Sequence, residues 1–583
     1  MVIAPLVVTA AAALAPQDAL PSKSGIAWNR YRDYDELLDA VRQVAARSPD
    51  LVRIEQIGTS ALGRPMVVAI VNNPATGPES SKPAMWIDGN IHGNEVQAGE
   101  VVGYTLDALC NAHGRVPELT ELIDRTVFYL CPSVNPDGRD EWFSKAHTPH
   151  SNRTGLQPFD NDRDGESDED GPDDLDGDGS IGEMWKKDPN GTHRRDPRDP
   201  RRFVPVPRDP RPDGTVERGE WSFAGEEGID NDGDGRINED GQGGYDMNRN
   251  WPSDWQPDHV QRGAGPWPLS YPETRCVADF ILAHPTIAAV QSYHNAGGMI
   301  LRGPGAAYNE GAYPAADRAA YDAIAAAGAQ MLPGYRPMVI HKDLYTVHGG
   351  FVNWTAEGLG IVSFTNELWT DQRIMQDGGG PDESERQRWR DDVLFRRTFK
   401  DWTEVQHPVH GTVLVGGQTK WSSRVTPHFM LEEECHRNFA FTTFHASQLP
   451  LLRAGTTRVR SLGDGVWEVT VELCNDRRIP TRTARAADKG IGRPDLLTVG
   501  LGDPSGTVAA GGIVDGGVLE RTFTPAKAEP ARLRVERGIP GLGSTVFRFI
   551  VRAAEGSQVR LRYESQKATP MQLELTLRES ATP

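Results

Sequence analysis

Basic charge, cysteine and long apolar runs are all scarce in this chain. Acidic side chains number 82 against 62 Lys and Arg, a formal net charge of -20 over 583 residues. A phosphate backbone would repel such a surface, which argues against a general nucleic-acid binder. The five cysteines, Cys110, Cys131, Cys276, Cys435 and Cys474, are scattered with no C-x-x-C pair, so a cysteine zinc cluster or a thioredoxin-like redox motif is not expected. Export would permit one or two disulfides; buried free thiols are the equal alternative. Beyond the first residues no apolar run is long enough to span a bilayer. The H-E-x-x-H, G-x-S-x-G and P-loop signatures are also missing, which removes three common readings.

The one apolar run opens the sequence. MVIAPLVVTAAAALAPQ ends in small residues, with Ala13-Leu14-Ala15 as an A-x-A-like cleavage site, though the usual positive start is missing. A signal peptide over 1–20 would make the protein secreted or periplasmic; a disordered apolar N-terminus is the other reading. Asp33 is placed to cap a helix with Leu37, Leu38, Val41 and Val44 on one face. β-like runs follow at 52–57, 65–71, 84–91, 126–134, 287–293 and 361–367. Helical patterns lie at 95–109, 272–283, 315–331 and 384–402. This alternation predicts an α/β domain over 25–405 with a parallel or mixed sheet. Residues 139–244 interrupt it with Asp, Gly, Arg and Pro and few aliphatics, and read as an insertion with an extended, irregular centre at 194–212. Residues 406–455 read as a connecting segment with a helix from Phe429. Short alternating runs such as 466–473 and 546–551 predict an all-β, sandwich-like domain over 456–583.

Several short segments carry chemistry. In Asp88-Gly-Asn-Ile-His92-Gly-Asn-Glu95 a strand ends, a glycine turn follows and a helix begins. His and Glu three apart at such a junction can face one point in space, and imidazole nitrogen with carboxylate oxygen suits zinc. Further segments are Asn135-Pro-Asp-Gly138, Tyr245-Asp-Met-Asn-Arg-Asn-Trp251, Ser292-Tyr-His294-Asn, Leu344-Tyr345-Thr-Val-His-Gly-Gly350 and Ser363-Phe-Thr-Asn-Glu367-Leu. Their order and setting resemble the zinc carboxypeptidases of the carboxypeptidase A type, over Gly25 to Trp402 with the insertion excepted.

The resemblance implies roles residue by residue. His92, Glu95 and His294 match the three zinc ligands, which leave a fourth position for water. Glu367 matches the general base that deprotonates this water, whose pKa zinc lowers. Asn248 and Arg249 match the pair gripping the substrate's terminal carboxylate, a task suited to a planar guanidinium. Tyr345 matches the mobile tyrosine that closes over substrate, and Asp246 a carboxylate that orients a zinc histidine. Val352 and its neighbours occupy the stretch lining the specificity pocket; no acid is evident there, so a neutral or apolar C-terminal residue is favoured. Two departures stand out. The family's oxyanion-stabilising arginine falls where the insertion begins; Arg153 is the first choice and Lys186 the second. Asn94 stands where digestive members carry an arginine, which leaves the outer subsites open.

The insertion has its own pattern. Asp160-Asn-Asp162-Arg-Asp164-Gly, Asp174-Leu-Asp176-Gly-Asp178-Gly and Asp230-Asn-Asp232-Gly-Asp234-Gly are three copies of D-x-D-x-D-G, the first half of an EF-hand-type calcium loop. The glutamate at loop position twelve is absent, so they look more like the short calcium repeats of dockerins and thrombospondins, with Glu183 or later acids completing the cages. Calcium would fold the insertion by cancelling its self-repulsion; a disordered acidic loop is the alternative.

The expected activity is therefore a zinc-dependent exopeptidase acting on peptide or protein C-termini, away from nucleic acid and membrane. One rival is a zinc deacylase or amidase acting on a non-standard or peptidoglycan-like amide, which the carboxylate clamp disfavours. A non-catalytic binding protein on the same scaffold is a second; it would be expected to have lost Glu367 or a ligand.

Overall fold

The computed structural model describes residues 22–160, 163–207, 209, 212–374 and 381–579. The leader-like residues 1–20 and Asp162 lie outside them. Among the described residues no helix is long and apolar enough to cross a membrane.

One mixed sheet organises the larger part of the chain. Its strands are β1 (Val52–Thr59), β2 (Pro65–Val71), β3 (Ala84–Gly89), β4 (Val127–Cys131), β5 (Ile287–Asn295), β6 (Met299–Arg302), β7 (Arg336–Val339) and β8 (Val362–Leu368). Their spatial order is β1-β2-β4-β3-β5-β8-β6-β7. β4, β3, β5 and β8 run parallel. Strands buried on both faces read as near-continuous apolar runs, and every residue of β3, β4 and β5 is buried. The helices Tyr34–Arg47, Gln97–Ala112, Ala315–Met331 and His428–Ser447 pack into the core on one face. Pro272–Ala283 packs into the core on the other, which also holds Trp251 and Trp354. The first helix begins as its sequence predicts, with the Asp33 carboxylate accepting from Glu36 N at 2.8 Å and Leu37, Leu38, Val41 and Val44 buried.

Three expectations need correction. The helix expected over 384–402 ends at Val393; Phe395 and Arg396 turn left-handed, and a strand starts at Phe399. The helix at 428–447 is no connector, because Leu431, Phe439, Phe441 and Ala446 are buried in the main core. The insertion is not irregular throughout. Its strands Glu183–Gly191, His193–Arg195, Phe203–Pro205 and Gly219–Glu226 join Phe399–His407 and Gly411–Gln418 in a separate six-stranded sheet. Beyond Leu452, a five-stranded and a four-stranded sheet enclose their own apolar core, as the all-β reading anticipates. All five cysteines are unpaired.

Candidate active site

The site forms where the parallel strands end, the usual place for ligands in open α/β sheets. β3 runs out at Gly89. The turn after it is fixed by Asn90, left-handed at φ 57°, whose side-chain amide donates to His92 O at 2.7 Å. His92 and Glu95 follow, just ahead of the helix starting at Gln97. His294 lies near the end of β5, and the parallel register sets Glu367 of β8 directly opposite it.

His92, Glu95 and His294 are all buried and their ligand atoms converge within 4.8 Å. His92 Nδ1 is 3.0 Å from Glu95 Oε1, His294 Nδ1 is 2.9 Å from Oε2, and the two Nδ1 atoms are 3.2 Å apart. His92 Nε2 lies 3.1 Å from both Asp246 Oδ1 and Arg153 Nη2. With Nδ1 kept unprotonated for the shared centre, Nε2 carries the proton and donates it to the Asp246 carboxylate, and Arg153 Nη2, which only donates, makes no hydrogen bond to it. The Nδ1 lone pair then points at the shared centre. This donor set of two imidazole nitrogens and a carboxylate fits zinc with one position left open.

Charges around the centre are strongly perturbed. Burial opposes the Glu95 charge, but His92 and His294 hold its carboxyl well below the usual range. Burial likewise opposes Asp246, and Arg249, His92 and Arg153 hold it well below. Glu367 behaves oppositely: burial, with Glu95 close by, pushes its carboxyl up to about 7, the range a general base needs.

Arg153 reaches the centre through backbone pairing. Asn94 N donates to Asn152 O at 2.9 Å and Gly93 N to Arg153 O at 3.3 Å, which sets residues 152–153 alongside the His92–Glu95 turn. Arg153 Nη1 then donates to Glu95 Oε1 at 3.0 Å. Lys186 is elsewhere, on the insertion sheet between Val413 and Ser222, so the second choice for that position is not brought to the centre.

A cavity opens from the centre, with Arg249, Leu301, Ile340, Val347, Val352 and Tyr345 among its lining. A short helical turn, Met247–Arg249, presents Asn248 and Arg249; Asp246 caps it, accepting from Asn248 N at 2.7 Å. Asn248 Oδ1 accepts from Phe351 N at 2.9 Å, tying the turn to the Val352 segment. Gly349 passes so close that a side chain there would meet Arg249 O, and its φ of 61° also favours glycine. Tyr345 is 55% exposed at the cavity's edge.

In the insertion, among the described acids, the third triplet groups as sequence spacing suggests, whereas Asp160 and Asp178 join no such group. Asp230, Asp232 and Asp234 converge, as do Asp174 and Asp176 with Glu227. Asp164 and Glu169 meet Asp232, and Asp170 and Glu239 meet the same Asp232. The loops fold alike: Asp230 accepts from Gly233 N and Gly235 N, Asp174 from Asp178 N and Gly179 N, and Asp160 from Arg163 N and Gly165 N. Asp178 accepts from Ser180 N. Glu183 is not a cage member; it accepts from Trp185 Nε1 at 2.7 Å. Glu227 is the residue the spacing missed, and its place three residues before the third loop was the available signal.

Arg424 was also missed, because it lies far beyond the segments that carry the resemblance. Its Nη2 donates to Glu95 Oε1 at 3.1 Å.

A zinc carboxypeptidase family profile matches residues 37–173 and 212–385, and a second profile, for a domain of unknown function, matches 451–576. Carboxypeptidase E of Caenorhabditis elegans is 31% identical over 139 residues, 24% of this chain and 29% of that protein. Human carboxypeptidase Z is 33% identical over 129 residues, 21% of this chain and 20% of that one. The chain thus spans under a third of the length of these curated relatives. Bovine thrombin-activatable fibrinolysis inhibitor in complex with tick carboxypeptidase inhibitor is a structural neighbour at 18% identity and TM-score 0.41, covering 72% of this chain and 97% of that one.

Proposed function

The chain belongs to the zinc carboxypeptidase family, and on that premise we propose that it removes C-terminal residues from peptides or proteins, preferring neutral or apolar ones. One juxtaposition carries this reading. The His92–Glu95–His294 centre, with Glu367 beside it, shares a cavity with Arg249 and an apolar wall of Leu301, Ile340, Val347 and Val352.

Bound zinc would polarise the scissile carbonyl and acidify a water. The chain's own residues divide the remaining work. Glu367 takes the proton of the attacking water. Arg153, anchored on Glu95, faces the charge developing on the carbonyl oxygen. Arg249 and Asn248 bind the terminal carboxylate. Tyr345 closes the cavity. A substrate without a free carboxylate would make no use of the Asn248–Arg249 pair in the cavity, which disfavours the deacylase and amidase reading.

The test is mass spectrometry of a peptide library incubated with the full chain, with and without a zinc chelator. Loss of single C-terminal residues, stopped by the chelator, is expected. Internal cleavage, or equal turnover of C-terminal amides, would overturn the reading.

Two finer points belong to the same proposal. The insertion holds calcium, supported by its carboxylate groups and by buried carboxylate oxygens of Asp176, Glu169 and Glu239 that have no hydrogen-bond partner. Oxygen-rich, alternately spaced donors suit a hard cation. The enzyme also acts outside the cytoplasm, on the strength of the leader ending at Ala13-Leu14-Ala15.

A further inference from the structure

We infer that Arg424 is a substrate-binding residue that holds the backbone of the peptide upstream of the bond to be cut. This rests on the carboxypeptidase reading and extends it to a part of the chain outside the family profile, which stops at residue 385.

The backbone around Arg424 is fastened to residues that adjoin the candidate metal ligands. Asn295, next to His294, donates from Nδ2 to Arg424 O at 2.8 Å and to Gln97 Oε1 at 3.1 Å. Gln97, two residues after Glu95, accepts from Thr426 N at 2.9 Å. Tyr31 OH closes the clasp on Thr426 O at 2.6 Å. These bonds hold Arg424 at φ 64°, a left-handed conformation that arginine rarely adopts.

The side chain has donors to spare. Nη2 is shared between Glu95 Oε1 and Asn295 O, while Nη1 makes no such bond among the described residues and the side chain is 23% exposed. A guanidinium has five N–H donors, so neutralising Glu95 uses only part of its capacity. Its position supplies the direction. The cavity containing Arg249 receives the substrate's end, so the rest of the peptide must leave from the other side of the metal centre. Arg424, in contact with Glu95, lines a second groove that begins beside Ala296 and Gly297, just past His294, and includes Phe143, Trp369, Trp389 and Trp421. Backbone carbonyls of an extended peptide are the acceptors this guanidinium lacks, and the aromatic walls suit apolar side chains upstream. The substrates are therefore peptides long enough to reach past the scissile bond by several residues, in preference to dipeptides.

The experiment compares an N-blocked dipeptide and a pentapeptide with the same C-terminal leucine, on the zinc-loaded full chain. Arg424→Asn suits the left-handed backbone and removes the guanidinium; Arg424→Lys keeps the charge without the fork, and carries the test if the first variant folds poorly. Hydrogen bonds to a charged group predict that kcat/KM for the pentapeptide falls about ten- to a hundredfold. The dipeptide should fall far less, with zinc content unchanged. Equal losses on both substrates, or loss of zinc, would overturn the assignment. Calorimetry of pentapeptide binding to Glu367→Gln chains, with and without the Arg424 change, decides the matter independently of turnover. A Kd raised at least about tenfold supports it; an unchanged Kd, or no binding at all, refutes it. If the wild-type chain binds peptides but releases no C-terminal residue, the carboxypeptidase reading fails while the Arg424 comparison still stands.

Discussion

Asp246 is the carboxylate on which most of the site converges, and Asp246→Asn is the sharpest test of it. Its Oδ1 takes the proton of His92 Nε2 at 3.1 Å and caps the Met247–Arg249 turn at Asn248 N, 2.7 Å. Its Oδ2 faces Arg153 Nε at 3.7 Å and Arg249 Nη1 at 3.9 Å. Asparagine has the same shape. If its oxygen keeps the His92 and cap bonds, its NH2 must sit against two guanidinium groups, donor against donor. If it flips, His92 loses its acceptor. Either way the imidazole becomes a poorer ligand, and such outer partners typically contribute about 10–100-fold in metal affinity, or about 1.4–2.7 kcal/mol. Zinc Kd measured by chelator competition should rise by that factor. kcat/KM at saturating zinc should also fall, since Arg249 and Arg153 lose their common counter-charge. Asp246→Ala should add the loss of the cap, about 1 kcal/mol, visible as a lower Tm. If Asp246→Asn bound zinc within twofold of wild type and kept its turnover, the idea that this carboxylate sets the His92 tautomer and positions both arginines would be wrong.

Glu367→Gln should lower kcat by about a hundredfold or more while zinc stoichiometry by metal analysis stays the same; turnover near wild type would remove Glu367 as the base. Arg153→Ala should cost about a hundredfold to a thousandfold in kcat, with zinc still bound, and an unaffected rate would eliminate the oxyanion role. Lys567, whose ammonium donates to Ile287 O where the β domain meets the main sheet, is lowered to about 7 by burial, against about 10.4 when unfolded. Between those values the unfolded chain carries the extra proton, so this group makes the fold gain stability as pH rises from about 7 to 10, by at most about 1.4 kcal/mol per unit. Denaturant unfolding of Lys567→Met should lack that component, and parallel pH profiles for the two proteins would contradict it. Calcium should raise Tm and a calcium-selective chelator should lower it; an unchanged Tm would count against metal in the insertion.

The sequence made the central site legible because its residues sit at strand ends, where short motifs survive as contiguous text. His92 and Glu95 come from one turn, and the rest follow the order of the strands. The α/β alternation was readable for the same reason, since β3, β4 and β5 are apolar throughout. What stayed hidden depends on contacts remote in sequence. That Arg153, and not Lys186, lies beside Glu95 depends on the backbone pairing of 93–94 with 152–153. Glu227 joins Asp174 and Asp176 only after about fifty intervening residues have folded back. The helix at 428–447 has almost no sequence amphipathicity to announce it as core: buried polar residues such as Glu434, Asn438 and Thr442 intersperse its apolar ones. They are satisfied by distant partners, including Tyr335 and Arg373 for Glu434 and Tyr293 for Thr442. Left-handed residues ended the helix at Val393 with no glycine or proline to mark the break.

The insertion belongs with the site because of where its ends lie. Arg153 stands at one end of its neck and Asp246 at the other, and the two strands of the neck are stitched together, Gly155 N to Tyr245 O at 3.1 Å and Gly244 N to Thr154 Oγ1 at 3.2 Å. Further out, the first and third acidic loops clasp each other in a near-symmetric way: Asp168 N donates to Asp240 and Asn238 N to Asp170, each at 2.8 Å. The carboxyls of Glu169 and Glu239 crowd the same clasp, and loss of water together with Asp240 and Asp170 respectively pushes each up to about 7. A clasp built from so many acids opposes itself electrostatically unless protons or cations compensate. If the proposed calcium is what compensates these acids, its removal should weaken the proposed peptidase activity before it unfolds the main sheet, because Arg153 and Asp246 both stand on the neck.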